Sequence, residues 1–233
     1  KSNIVTLEGE FGCNDKRRNV IEETNAKFVC FVDSDIVFNE TALYYILQGI
    51  DISLDTPYVI ISQELPRMWD GSWDSIVAKK YINLPYKGDE HYINFDFTEI
   101  DIPEDVNIEI NNTIKFSGGF LTTISSNLAK EIKIPKSLGS YKLDDTFLLF
   151  CSYKLAEVLG SRYIKQYILR GLTITEDRKY QNQTLKKYLT MNTKYIRDRE
   201  TIESLGAEDP VFMNEVQQFC DKKIPEIVKK HIK

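Results

Sequence analysis

Apolar and polar positions alternate, cluster and break along this chain so as to lay out strands and helices before any chemistry is considered. The clearest block is Phe28–Phe38, FVCFVDSDIVF, where five apolar residues run without alternation into Asp33-Ser34-Asp35. Such a run predicts a short strand buried on both faces, of the kind found inside a parallel sheet. Upstream, NIVTL at 3–7 predicts another strand. Asn14 or Asp15 caps a helix to about Thr24 that turns Val20 and Ile21 inward. Strand, helix and strand in that order form one right-handed parallel unit.

Beyond the acidic residues, Asn39-Glu40-Thr41 opens a helix that Gly49 ends, and Tyr58–Ser62 is a further buried strand. Residues 81–115 read as irregular and strand-like, with His91 in a loop and a hairpin predicted over Asn107–Phe116 around Asn111-Asn112. Lys115–Leu121 predicts a strand interrupted by Gly118-Gly119, a pair that marks a bulge or a close backbone approach to a ligand. An apolar helix follows Asp144-Asp145 and closes at Gly160, and Tyr163–Thr175 supplies another strand or two. From Gln181 the chain is charged, Tyr-rich and helical, with breaks at Gly206 and Asp209-Pro210. Its last piece aligns Ile224, Ile227, Val228 and Ile232 on one face, ringed by lysines. That face suits the domain itself, a partner chain, or peripheral contact with an acidic membrane surface. The expected architecture is α/β: a mostly parallel central sheet flanked by helices over residues 1–180, with a helical C-terminal extension, 181–233, packed on it.

Composition narrows the class. The 233 residues are 42% hydrophobic and 28% charged, which fits an ordinary globular domain. A net charge of −5 argues against nucleic acid as a partner. No apolar run approaches membrane-spanning length and no signal peptide opens the chain. Cys13, Cys30, Cys151 and Cys220 have no zinc spacing, and Cys30 and Cys151 fall in apolar elements, so free buried thiols and a cytoplasmic setting are expected.

The candidate chemistry sits at strand ends. In an open α/β sheet the ligand crevice lies beyond the carboxyl ends of the strands. Residues i and i+2 of an extended chain point the same way, so Asp33 and Asp35 can address one hard cation, Mg²⁺ or Mn²⁺. Trp69 and Trp73, in the polar stretch Arg67–Trp73, either offer flat faces to a sugar ring or lid the core. Asp144 and Asp145 open a helix, where one acid suffices as a cap.

Asp33-Ser34-Asp35 after an apolar strand, with Arg18-Asn19 on the helix before it, Gly118-Gly119 later and Asp144-Asp145 last, resembles GT-A fold glycosyltransferases. The inverting, DxD-containing, family-2-like enzymes are the nearest match, over roughly residues 3–180. The resemblance implies a Rossmann-like fold and transfer of a sugar from a UDP- or GDP-sugar donor to a hydroxyl of a glycan or protein acceptor. It implies Asp33 and Asp35 as metal ligands, with Glu176 where related enzymes place a histidine. Arg18, Asn19 and Asp33 would serve the diphosphate, although Lys16-Arg17-Arg18 also reads as a solvated charge run. Gly118 and Gly119 would flank the transferred sugar, Asp144 would bind acceptor or sugar, and Asp145 would be the general base. Such a domain normally begins with a strand–helix–strand segment for the nucleotide base, and Lys1 enters at its third strand. A missing N-terminal segment or a partner chain is therefore expected to complete it. The rival expectations are a non-catalytic scaffold subunit of a larger assembly and a nucleotidyltransferase, the latter without its Gly-rich phosphate loop.

Overall fold

A computed structural model describes residues 12–33, 36–37, 40–67, 106–111, 113–114, 121–140, 143–176 and 209–231. In chain order these form α1 (Cys13–Glu23), β1 (Phe28–Val32), β2 (Ile36–Val37), α2 (Glu40–Ile52), β3 (Tyr58–Arg67) and β4 (Asn107–Asn111). There follow β5 (Leu121–Ser125), α3 (Ser126–Ile132), α4 (Asp144–Leu159), β6 (Ile164–Glu176), α5 (Pro210–Gln218) and α6 (Ile224–His231). The expected strand at 3–7, the region 68–105 and the stretch 177–208 lie outside the described residues, as do Asp35, Trp69, Trp73, Gly118 and Gly119.

The fold is mixed α/β. One six-stranded sheet runs in the order β1-β5-β3-β6-β2, with β4 also paired to β6. The expected mostly parallel sheet is corrected here, because β3/β6 is the only parallel pairing among the described residues. β1 and β3 do run in the same direction, joined through α2 as expected, but β5 lies between them antiparallel to both. An apolar run looks the same in either direction, so periodicity had no means of revealing this reversal. Of the hairpin expected at 107–116, β4 pairs with β6, Asn111 opposite Gln166 and Asn107 opposite Arg170, while Asn112 and the far arm from Lys115 lie outside the described residues.

Both sheet faces are covered. Val29, Phe31, Ile60, Ile124 and Ile164 pack under α1, α3, α4 and the C-terminal helices, while Val59, Ile61, Tyr167 and Leu169 pack against Ala42 and Ile46 of α2. β1 itself alternates: Val29 and Phe31 are buried, whereas Cys30 and Val32 are exposed. The expectation of a doubly buried strand with a buried Cys30 thiol is thus corrected. Among the described residues β1 pairs with β5, and its unbroken apolar sequence buries one face only. Cys151 is buried as expected, and all four cysteines are free.

Gly49 does not stop α2, which continues to Ile52. It is buried, and a β-carbon there would lie 3.2 Å from the Ile61 side chain, so the glycine lets the helix approach β3 closely. Gly160 does end α4, at φ 78°, a conformation that favours glycine.

The C-terminal helices complete the core. Asp209 caps α5 by accepting from Val211 N at 2.9 Å and Phe212 N at 3.1 Å, with Pro210 at the first helical position. Phe212, fully buried, meets Phe147 and Phe150 of α4 edge-on, with ring centroids 5.9 Å apart in both pairs. A π-helical turn, Phe219–Lys223, joins α5 to α6 immediately before Pro225. The wider turn accommodates a proline ring that would clash with the carbonyl four residues back in a regular helix. Ile224 and Ile227, from the predicted apolar face, are buried in the same core cluster as α4. No helix among the described residues is long and apolar enough to cross a membrane.

Candidate functional site

The site grows from three chain segments that the fold brings to one end of the sheet. Asp33 directly follows β1, and its carbonyl accepts from Ile36 N at 3.1 Å, which turns the chain into β2. α4 begins at Asp144 behind Leu143, whose left-handed backbone, φ 51° and ψ 16°, is costly for a non-glycine residue. α1 lies across both. Its N-cap, Gly12, sits against Ser140: Asn14 N donates to Ser140 O at 2.9 Å, and a β-carbon on Gly12 would stand 2.8 Å from the Ser140 carbonyl carbon.

Arg17 of α1 occupies the centre. One guanidinium nitrogen donates to Asp33 Oδ1 at 2.7 Å and the other pairs with Asp144 Oδ2. Arg17 and Asp144 are nearly buried, with side chains 9% and 11% exposed, while that of Asp33 is 41% exposed. The guanidinium also lies over the Phe31 ring, 5.5 Å from its centroid. Burial works against the Arg17 charge, but Asp144 and Asp33 outweigh it and hold the proton more firmly than usual. Burial pushes the Asp144 carboxyl up, against the pull of Arg17 and with the help of neighbouring Asp145. Cys13, half-buried, shares this environment. Its thiol is raised by burial, with Arg17 opposing and the three aspartates adding to the rise.

Asp145 occupies a different position. Its Oδ1 accepts from Thr146 N at 2.6 Å and from Thr146 Oγ1 at 3.2 Å, a local bond that ties the carboxylate to the first turn of α4. With Arg17 it lines a small pocket whose other walls are apolar or weakly polar: Phe31, Ile60, Thr122 and Ile124 from the sheet, Leu148 and Leu149 from α4. A positioned carboxylate beside an apolar pocket can accept a proton from a bound hydroxyl.

No protein-family model, curated protein or solved structure matches this chain.

The geometry of the site brings together Asp33, Asp144 and Asp145 and reassigns the arginine. Arg18, expected to serve the diphosphate or the acidic motif, is turned elsewhere. It donates to the carbonyls of Pro135 at 3.0 Å and Gly139 at 3.4 Å and pairs with Asp15, stapling α1 to the turn before α4. Asn19 is exposed on the far side of α1. The reading of Lys16-Arg17-Arg18 as a solvated run also fails, since Arg17 and Arg18 are both 8% exposed. The signal that could have found Arg17 is the stripe Asn14, Arg17, Arg18, Ile21, all buried and spaced i, i+3, i+4, i+7.

For a divalent cation, the donors are those expected at Asp33, Asp35 and Glu176. Glu176 ends β6 directly opposite Ile36 of β2, and Asp35 lies outside the described residues. An all-carboxylate set suits Mg²⁺ or Mn²⁺ in ligand type. Among the described residues no group of three or more His, Cys, Asp or Glu forms a ligand cluster. His231 is not near these acids: it bonds Tyr58 at the start of β3, Nε2 to hydroxyl 2.8 Å.

Proposed function

We propose that this chain is a GT-A-like glycosyltransferase that moves a sugar from a nucleotide-diphosphate donor to a hydroxyl acceptor with inversion. The observation that carries the reading is the meeting of Asp33, at the carboxyl end of a strand, with the Asp144-Asp145 helix start, 111 and 112 residues later in sequence, around one buried arginine. Ligand crevices of open α/β sheets form at strand carboxyl ends, and a donor-side and an acceptor-side acid are what such a transfer requires.

In this reading Asp33, Asp35 and Glu176 would hold Mn²⁺ or Mg²⁺, which would supply positive charge to the leaving diphosphate. Asp145 takes the proton of the acceptor hydroxyl. The acceptor oxygen then bonds to the anomeric carbon as the bond from that carbon to the phosphate oxygen breaks on the opposite face. Arg17, bonded to both acids, keeps Asp144 and Asp33 in place.

A calorimetric titration of UDP and GDP with and without Mn²⁺ tests the donor half, and metal-dependent binding is the expected result. Asp145→Asn should keep that binding and lose about 10²–10⁴-fold in turnover, the usual contribution of a general base. Full activity in that variant would remove Asp145 from the role. One observation favours a binding-only scaffold instead: Asp144 and Arg17 satisfy each other internally. Nucleotide binding without any transfer to a panel of hydroxyl acceptors would select it.

A further inference from the structure

Arg17 is built differently from the other charged groups near the site. Its two terminal nitrogens are divided between acids from separate elements, Asp33 after β1 and Asp144 at the start of α4. The guanidinium is pinned from below by Phe31 and is itself nearly buried. A planar fork reaches two carboxylates at once, which a lysine ammonium on its flexible stem does not reproduce. Asp144, 7% exposed overall, lies where an ionised carboxylate is costly without a partner. Asp33 is the solvent-facing end of the bridge, and Asp145 stands one residue from the buried end and shares its pocket with Arg17.

We propose that Arg17 is a positioning residue that joins the two halves of the site, so that charge arriving at Asp33 is felt at the start of α4 beside Asp145. A cation at Asp33 competes with the guanidinium for that carboxylate and drives Arg17 toward Asp144. Conversely, loss of Asp144 shifts the balance of the Arg17 guanidinium toward Asp33. The consequence for turnover rests on the transferase reading, but the linkage between Asp33 and Asp144 does not.

Two measurements on the full chain test it. In urea unfolding, Asp144→Asn lowers the midpoint while Arg17 is present, because it strips a partner from a buried charge. In an Arg17→Met background the same substitution raises the midpoint, because it then removes a buried carboxylate that has lost its arginine. Asp33→Asn combined with Asp144→Asn costs more than the two singly, since both acids that share the Arg17 guanidinium are then neutral. In a titration with Mn²⁺ alone, Arg17→Met tightens binding about tenfold by removing a like charge, and Asp144→Asn weakens it. The double variant Arg17→Met/Asp144→Asn behaves as Arg17→Met. Should Arg17→Met fail to fold, Arg17→Lys replaces it: lysine restores the midpoint by pairing with one acid and leaves Asp33→Asn and Asp144→Asn additive. An Asp144→Asn effect of the same sign and size in both backgrounds overturns the proposal. Absence of Mn²⁺ binding by the unaltered chain overturns the cation assignment above instead, and the unfolding cycle then decides the bridge by itself.

Discussion

Gly12→Ala should unseat α1 from the loop that leads into α4. The backbone of Gly12, φ −66° and ψ 165°, is one alanine adopts readily, so the substitution alone should stabilise by about 0.4–1 kcal/mol through the unfolded chain. Space reverses the sign. The new β-carbon would overlap the Ser140 β-carbon and carbonyl oxygen and stand 2.8 Å from its carbonyl carbon, and two of these three atoms are backbone. Overpacking of this kind costs about 1–3 kcal/mol. Relief requires moving the start of α1 away from Ser140, which breaks the bond from Asn14 N to Ser140 O and forfeits about 1 kcal/mol more. The balance is a loss of roughly 2–3 kcal/mol, or about 4–12 °C in Tm for a chain of this length. Differential scanning calorimetry on the variant checks it. Adding Ser140→Gly removes one of the three overlaps and should recover less than half of the loss. A Tm at or above that of the unaltered chain would show that the loop gives way freely, and that α1, with Arg17 on it, is not set by this close approach.

Phe212→Ala removes a fully buried ring wedged between Phe147 and Phe150 and should cost about 3–5 kcal/mol in urea unfolding, with one transition retained. A loss below 1 kcal/mol, or a separate early transition, would mean that α5 docks on a core complete without it. Burial, with Glu131 adding, pushes the Tyr58 hydroxyl from 10 up to about 12. Because the folded value is the higher one, the stability it contributes is fully present below pH 10 and is lost as pH rises through about 12. Tyr58→Phe should therefore flatten the fall in unfolding midpoint between those pH values relative to the unaltered chain; an equal slope in both would contradict the assignment.

The sequence made some elements legible and left the direction of others closed. α1, β1 and α4 fall within a residue or two of their expected bounds because each is edged by strong local signals: a capping stretch, an abrupt polar motif, a terminal glycine. The reversal of β5 between β1 and β3 had no such marker. Its residues, Leu121–Ser125, are all buried and carry no alternation, so neither direction nor neighbour could be inferred from them. Gly49 misled for a related reason. A glycine near a helix end and a glycine at a helix–sheet contact look identical in sequence, and what separates them is Ile61 on another element.

The site was legible as a set of acids and illegible as a set of charges in balance. Asp33, Asp144 and Asp145 stood out because acidic residues at strand and helix ends are conspicuous, and the fold does collect them. The arginine that makes their assembly tolerable was assigned one position away. Adjacent residues on a helix point about 100° apart, so choosing between Arg17 and Arg18 amounts to choosing which faces β1 and α4 and which faces the 135–139 turn. The structure uses both, and each is indispensable to a different contact: Arg18 fixes the loop that Gly12 leans on, and Arg17 closes the bridge. The docking of α1 and the charge balance of the site are therefore one physical problem. A substitution that frees the α1 N-terminus disturbs the acids without touching them, and a substitution among the acids removes one of the contacts by which the buried guanidinium ties α1 to the site. The same coupling explains the strained Leu143 backbone. Phe147 N donates to Leu143 O at 2.7 Å, so the first turn of α4 closes on the strained residue. Relaxing it would swing Asp144 off the guanidinium, and the ion pair with Arg17 opposes that motion by keeping a buried carboxylate paired.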